Sequence, residues 1–287
     1  NPNWKYKTRG NCAVSFVLDL QEKDLARVKE VVLEKVEELA ELHIEETTPG
    51  VVFYPGSEIP EELESYSKKV VREVSTIEEA ENLAGDIGAE VHKFREGRGI
   101  IGALAAIGYP LEDYTYELIT YRFKENRGTP RRVGEESVWD MDGVTYPVTF
   151  DNMDFETDEI SITPHTPCPI LYGIRSETSD TAFKAQEMVR EEEPVERIQI
   201  YKTNQGTDDH LQEMKISDVS PYQSVIVEGV VSEEPVTIRG GHVFFSVSDD
   251  TGEIKCAAFE PTQRFREIVR KLVSGDKVKV YGGVKEK

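Results

Sequence analysis

The sequence predicts a multidomain α+β protein that closes on an OB-fold β-barrel. Three observations carry this. Helix-period and strand-period apolar patterns alternate along the chain. The last third runs three strands, a helix and a further strand, the order of an OB-fold. And 287 residues exceed what one hydrophobic core commonly organises.

In chain order, residues 12–20 alternate, with Cys12, Val14, Phe16, Leu18 and Leu20 on one face, the mark of a half-buried strand. From Glu22 to Leu42 the residues Leu25, Val28, Val32, Val36 and Leu39 keep helical spacing. Thr48-Pro49-Gly50 turns into a strand, Val51 to Tyr54, followed by helices over 60–74 and 76–84 and a strand over 90–94. The small, apolar run 97–108 reads as a closely packed helix or a turn entering one. Residues 114–122, rich in Tyr, Thr and Ile, predict a strand, and a basic Gly/Pro loop runs from Arg122 to Arg132. Strands near 136–141, 158–163 and 170–175 follow, then a helix over 179–190 capped by Ser179 or Asp180, and a strand over 195–201. This alternation suits a ferredoxin-like sandwich, helices on one face of an antiparallel sheet. Strands at 225–231, 243–247 and 254–259 come next, with the hairpin turn Asp249-Asp250-Thr251-Gly252 between the last two. A helix over 261–273, opened by proline, and a strand at 278–281 end the pattern, with the barrel's fifth strand outside this sequence. The expected domains are 1–98, 99–212 and 213–287.

Charge sorts these domains. The net charge of −21 argues against a nucleic-acid partner until the chain is divided. Residues 1–98 carry −8 and 99–212 carry −12, whereas 213–287 carry only −1, with 11 bases against 12 acids. An acidic middle suits a small cationic substrate as well as a plain solvated face. No apolar run approaches the roughly 20 residues of a membrane span, and no basic-then-apolar leader is present. Cys12, Cys168 and Cys256 lie far apart, give neither a disulfide framework nor a zinc knuckle, and read as small hydrophobes in a reducing cytoplasm. A first residue of Asn1 reads as a piece of a longer protein.

Several strings carry chemistry. In the OB segment, His242, Phe244 and Phe245 fall on the second strand, and Lys255 and Phe259 on the third, where such barrels bind nucleotides. Aromatics beside a cation stack bases, although one of Phe244 and Phe245 must face the core. Arg264, Arg266, Arg270 and Lys271 give the following helix a basic face, suited to phosphates or to solvent. Lys5-Tyr6-Lys7-Thr8-Arg9-Gly10-Asn11 offers cations and amides to a triphosphate or an RNA backbone. Gly97-Arg98-Gly99 with Gly102 is similar to a phosphate-approaching glycine loop at a helix start. In the middle, Asp151 and Asp154 sit among Phe150, Met153 and Phe155, and Thr166 to Arg175 forms a proline-fixed turn before a strand. Thr203 to His210 is a polar loop with Asp208, Asp209 and His210, and no ligand spacing there demands a metal.

Together K-T-R-G-N, G-R-G-I-I-G-A-L-A-A, F-D-N-M-D, T-P-C-P-I-L-Y-G-I-R and G-G-H-V-F-F with K-C-A-A-F-E-P-T resemble the archaeal tRNA-isoleucine agmatidine synthetases over nearly all 287 residues. That resemblance implies a partial kinase-like α/β domain, a ferredoxin-like domain and an OB-fold. It also implies that the family's Asp-rich G-x-D-D-T-D-S segment and its zinc ribbon fall outside this sequence, so this stretch alone is expected to be inactive. The implied reaction uses ATP and Mg²⁺ to convert the carbon-2 oxygen of a wobble cytosine into a phosphate ester. The amine of agmatine then displaces the phosphate. The partners implied are agmatine and an isoleucine tRNA with a CAU anticodon, with codon reading moving from AUG to AUA. Lys7, Arg9, Gly10, Asn11, Arg98 and Gly99 would meet ATP. Asp151, Asp154, Tyr172 and Arg175 would meet agmatine. His242, Phe244, Lys255, Phe259, Arg264, Arg266 and Arg270 would meet RNA. No catalytic residue and no metal ligand is assigned. Two other readings are a non-catalytic RNA-binding protein and a metal-dependent hydrolase using Asp208, Asp209 and His210.

Overall fold

The structure, a computed structural model, describes residues 12–45, 47–155, 157–262 and 264–285. Residues 111–208 form one compact unit, and residues 12–110 with 209–285 form the other. The result is a mixed α+β protein.

The first segment holds α1 (Glu22–Leu39), β1 (Gly50–Phe53), α2 (Glu61–Arg72), α3 (Ile77–Asp86), β2 (Glu90–Lys93) and α4 (Ile100–Gly108). β1 and β2 pair antiparallel, and Leu63, Ala80, Ala84, Ile100 and Leu104 form the core where the last three helices meet. Thr76-x-x-Glu79 closes a reciprocal cap at the start of α3, each side chain meeting the other's backbone amide. The strand expected over 12–20 does not form. Its residues are exposed and no strand among the described residues lies beside them, so the ladder that an extended segment needs is missing.

The 111–208 unit runs β3 (Thr115–Arg122), α5 (Glu135–Thr145), β4 (Thr149–Phe150), β5 (Met153–Asp154), β6 (Glu159–Ile160), β7 (Ile170–Ser176), α6 (Ser179–Met188) and β8 (Val195–Thr203). Its sheet has the order β4-β7-β3-β8 with every pairing antiparallel. β5 and β6 pair separately. Both helices belong to one layer, burying Val138, Met141 and Ala185 against Tyr172 and Ile174 of β7. The strand expected near 136–141 is α5. Val138, Met141, Asp142 and Thr145 are its buried positions, spaced by three and four, so the true period is helical despite the β-prone Val and Trp. Thr178, one residue before the expected caps, accepts the amide of Thr181 and caps α6.

Two buried cations fix this unit. Arg122, fully buried, donates from Nε and Nη2 to both oxygens of Glu193 at 2.8 and 2.7 Å, and from Nη1 to the Thr129 carbonyl at 3.0 Å. Arg175, also buried, is described with the site below.

The last segment holds β9 (Gln212–Glu213), β10 (Ser224–Thr237), β11 (Val243–Ser248), β12 (Glu253–Ala258), α7 (Phe265–Val269) and β13 (Lys277–Gly283). The long β10 bends through two register shifts, so its first half pairs β13 and its second half β11. β9 adds a short parallel edge. Val225, Val227, Val231, Val243, Phe245 and Val247 fill the curled interior. This is an OB-fold. Asp249 makes the predicted hairpin turn, accepting from Ile216, Thr251 and Gly252 amides. The Ile216 amide foremost, then the Thr251 hydroxyl and the other amides, hold its carboxyl well below the usual carboxylate range. The helix expected over 261–273 shrinks to 265–269, where Val269 alone is buried, behind a 3₁₀ turn at 260–262. One buried anchor does not sustain three turns.

Candidate functional site

On the OB sheet, β11 divides its two phenylalanines. Phe245 joins Val243 and Val247 in the core, and Phe244 turns outward. There it meets Phe259 at 6.4 Å between ring centroids, and the Lys255 ammonium lies 5.3 Å from the Phe244 ring. His242 meets the same Phe259 edge-on at 5.5 Å. The Glu260 amide donates to His242 Nδ1 at 3.0 Å, so the neutral ring carries its proton on Nε2 as a donor. Lys285, which follows β13, sits 4.3 Å from the Phe259 ring. No motif points to Lys285, because it is distant in the chain and enters only through β10–β13 pairing. Three rings and two ammonium groups on an exposed sheet face can stack unpaired bases and neutralise their phosphates.

The arginines that follow behave differently from a uniform basic face. Arg266 donates to the Gly241 carbonyl at 2.8 Å and leans on Glu260 at 3.5 Å, holding the turn that leads into His242. Gly241 needs its positive φ there, and a Cβ would stand 2.7 Å from Arg266 Nη1. Arg270 bonds the Thr237 hydroxyl at 3.1 Å and pairs with Glu267. Arg264 is exposed at the head of α7. Arg266 is thus a strut before it is a phosphate contact.

In the 111–208 unit the four residues expected around agmatine separate into three places. Asp151 lies in a left-handed bend (φ 58°) between β4 and β5. Arg175 on β7 donates to Asp151 Oδ2 at 3.1 Å and to Gln205 Oε1 at 2.7 Å, with Glu117 Oε1 3.8 Å from its Nε. Its side chain is 2% exposed, against 13% for Glu117 and 32% for Asp151. Two carboxylates around one guanidinium leave the cluster with a net negative charge. Asp154 instead accepts the Thr157 amide of its own turn at 3.3 Å. Tyr172 is buried among the helix-side residues with its hydroxyl on Glu191 at 2.6 Å. Burial, then the Glu191 carboxylate, raise its pKa well above the ordinary tyrosine value. Glu117 and Gln205 escape sequence reasoning because they reach Arg175 from a separate strand and loop.

The amides of the glycine loop are already engaged within the fold. The amides of Gly99, Ile100 and Ile101 already donate to Thr48, Gly97 and Arg98 carbonyls. Gly99 is small for another reason, since a Cβ there would stand 2.5 Å from the Gly50 nitrogen. The described residues at Arg98 and Gly99 therefore do not fit a triphosphate cradle, although Arg98 remains an exposed cation. Lys7, Arg9, Gly10 and Asn11 lie outside the described residues. Cys12 is exposed, contrary to expectation. Cys256 is half-buried with its thiol pushed up to about 11 by burial, and Cys168 is half-buried, 3.1 Å from Arg131 Nη2. Asp209, of the alternative hydrolase set, accepts the Tyr109 hydroxyl at 2.6 Å. No three His, Cys, Asp or Glu groups converge as a metal site among the described residues, and no described helix is long and apolar enough to cross a membrane.

Comparison with known proteins adds family to geometry. A family model described as the TiaS FLD domain matches residues 97–210, and one for an OB-fold nucleic acid binding domain matches 225–287. The 2-agmatinylcytidine synthetase TiaS of Thermococcus sibiricus, an enzyme named for an isoleucine tRNA, is 50% identical over 286 residues, covering 100% of this chain and 66% of that protein. Its Pyrococcus horikoshii counterpart is 52% identical over 286 residues, covering 100% and 67%. A crystal structure of apo TiaS superposes with a TM-score of 0.85 at 44% identity, covering 92% of this chain and 63% of that one. One of TiaS in complex with its isoleucine tRNA, AMPCPP and agmatine gives 0.86 at 44%, covering 92% and 65%. The chain spans about two thirds of the length of these relatives. It belongs to the TiaS family of isoleucine-tRNA 2-agmatinylcytidine synthetases.

Proposed function

We propose that the protein takes part in the ATP-dependent attachment of agmatine to carbon 2 of the wobble cytidine of an isoleucine tRNA with a CAU anticodon. The observation that carries this reading is identity of 50% or more across the whole chain to synthetases of that name. Residues 1–98 are read as part of a kinase-like α/β domain. Residues 99–212 are read as ferredoxin-like, supported by the β4-β7-β3-β8 sheet with one strand-helix-strand unit threaded through another. Residues 213–287 form the OB part and are read as the RNA grip. ATP and its Mg²⁺ are assigned to the K-T-R-G-N string. The cytoplasm is the proposed site of action.

For agmatine the Arg175 cluster is the assignment. Its guanidinium cannot lose charge, so it requires carboxylate, and Asp151 is the partly exposed carboxylate of a cluster that already holds one guanidinium. Arg175 and Gln205 then position Asp151, and Tyr172 and Asp154 support the surrounding fold. Agmatine is expected to raise the melting temperature of the 287-residue chain. By calorimetry, Asp151→Asn should weaken its binding at least tenfold, roughly 1.5–3 kcal/mol, whereas Asp154→Asn should leave it unchanged. Equal binding by wild type and Asp151→Asn would place agmatine elsewhere. No thermal shift at all would favour RNA binding without catalysis.

On the OB sheet, Phe259→Ala should cost roughly 1–3 kcal/mol of binding to single-stranded RNA, with little dependence on sequence. Arg264→Ala with Arg270→Ala should shallow the salt dependence of tRNA binding by roughly 0.7–0.9 per lost phosphate contact. Filter binding across salt concentrations measures both, and a full-strength Phe259→Ala variant would move the base contacts off this face.

A further inference from the structure

The 111–208 unit carries a second cationic surface, and we infer that its 122–132 loop grips RNA phosphates apart from the OB sheet. The inference rests on the tRNA reading above. Residues 99–212 are strongly acidic, yet five of their ten cations fall between Arg122 and Arg132, against the single carboxylate Glu125. Such segregation needs a cause.

The loop uses these cations in two ways. Arg122 is buried on Glu193 and also donates to the Thr129 and Pro130 carbonyls. Arg131 donates to the Ile170 carbonyl at 2.8 Å and the Thr166 carbonyl at 3.0 Å. These two fix the loop to the sheet. Lys124 and Arg127, on a 3₁₀ turn and the residue after it, are exposed. The Arg132 side chain is 59% exposed, with the Glu193 carboxylate 4.0 Å away. Arg197, the register partner of Tyr121 on β8, borders the surface with its guanidinium 4.3 Å from the Tyr121 ring, its charge met by Glu196, so the outward-facing cations are Lys124, Arg127 and Arg132.

Nearby acids do not cancel this surface. Glu191 accepts from Tyr172, Glu192 pairs with Arg190, Glu193 is buried on Arg122, and Glu196 pairs with Arg197. Glu135 and Glu136 sit in the first turn of α5, where they complement the helix dipole. A loop held by a buried ion pair presents its outward cations with little ordering cost on binding. Guanidinium groups match phosphate oxygens in pairs, and a row of spaced cations matches a phosphate backbone better than one acidic side chain.

The test is the triple variant Lys124→Ala, Arg127→Ala, Arg132→Ala in the 287-residue chain, which leaves Arg122 and Arg131 in place. Its probe is an unmodified isoleucine tRNA transcript with a CAU anticodon, followed by fluorescence anisotropy between about 50 and 200 mM salt. The expected result is a slope of log K against log salt shallower by about two units, from roughly 0.7–0.9 per lost contact, with an unchanged melting temperature. An unchanged slope overturns the inference. If the slope holds while Arg264→Ala with Arg270→Ala shallows its own, the tRNA reading survives and this surface does not. If binding of polyglutamate falls while the tRNA slope holds, the loop serves an acidic protein, which also overturns it. Wild type that binds no tRNA overturns both readings together.

Discussion

Glu193→Gln is expected to destabilise the 111–208 unit by about 3–5 kcal/mol. Arg122 would remain fully buried with two donors facing an amide nitrogen or a neutral oxygen. The Arg132 amide, which also donates to Glu193 at 3.2 Å, would lose its acceptor charge as well. Urea unfolding followed by tryptophan fluorescence measures this, because Trp139 lies on α5 in the same unit. Arg122→Met with Glu193→Leu should recover most of the loss, since a buried pair replaced whole is often neutral or better. An unchanged midpoint in the single variant would mean the pair contributes nothing.

Gly50→Ala and Gly99→Ala should each cost about 1–3 kcal/mol or more. A Cβ on Gly50 would lie 2.3 Å from the Ile100 nitrogen, and one on Gly99 2.5 Å from the Gly50 nitrogen. Both obstacles are backbone, so neither can swing aside. Gly143→Ala is the contrast. It lies within α5 with nothing in 4 Å of its would-be Cβ, and should stabilise by roughly 0.5–1 kcal/mol through backbone entropy. Thermal melts of the three variants decide the matter. Tolerance of alanine at Gly99 would reopen the phosphate-loop reading of Gly97 to Gly102.

Those glycines show what a sequence can and cannot disclose. A glycine string before a helix reads equally as a ligand approach or as two backbones in contact, and only the β1–α4 seam distinguishes them. The OB-fold is legible because it is local, with alternating strands, an Asp-Asp-Thr-Gly turn, and strand order that follows chain order through β10 to β12. α5 is not, because Val138 and Trp139 favour strands in isolation, and burial at Met141, Asp142 and Thr145 overrides that preference. Glu193 is invisible for the opposite reason. Within Arg190-Glu191-Glu192-Glu193 it looks like one of a solvated run, and nothing in the letters says that Arg122 lies beside it. At the candidate site, Asp151 and Arg175 stand out in their strings and are in contact. Tyr172, three positions before Arg175, faces the helix layer because neighbours at odd spacing on a strand look opposite ways.

The strut from Arg266 to the Gly241 carbonyl spans 25 residues of sequence, and Lys285 reaches Phe259 from farther along the chain. During synthesis the chain leaves the ribosome from its N-terminus, so β11 emerges with His242 and Phe244 well before either partner does. Until α7 and the strand after it appear, the aromatic face has neither its fixed loop nor its second ammonium. The aromatic face is complete only once the chain has been made through Lys285.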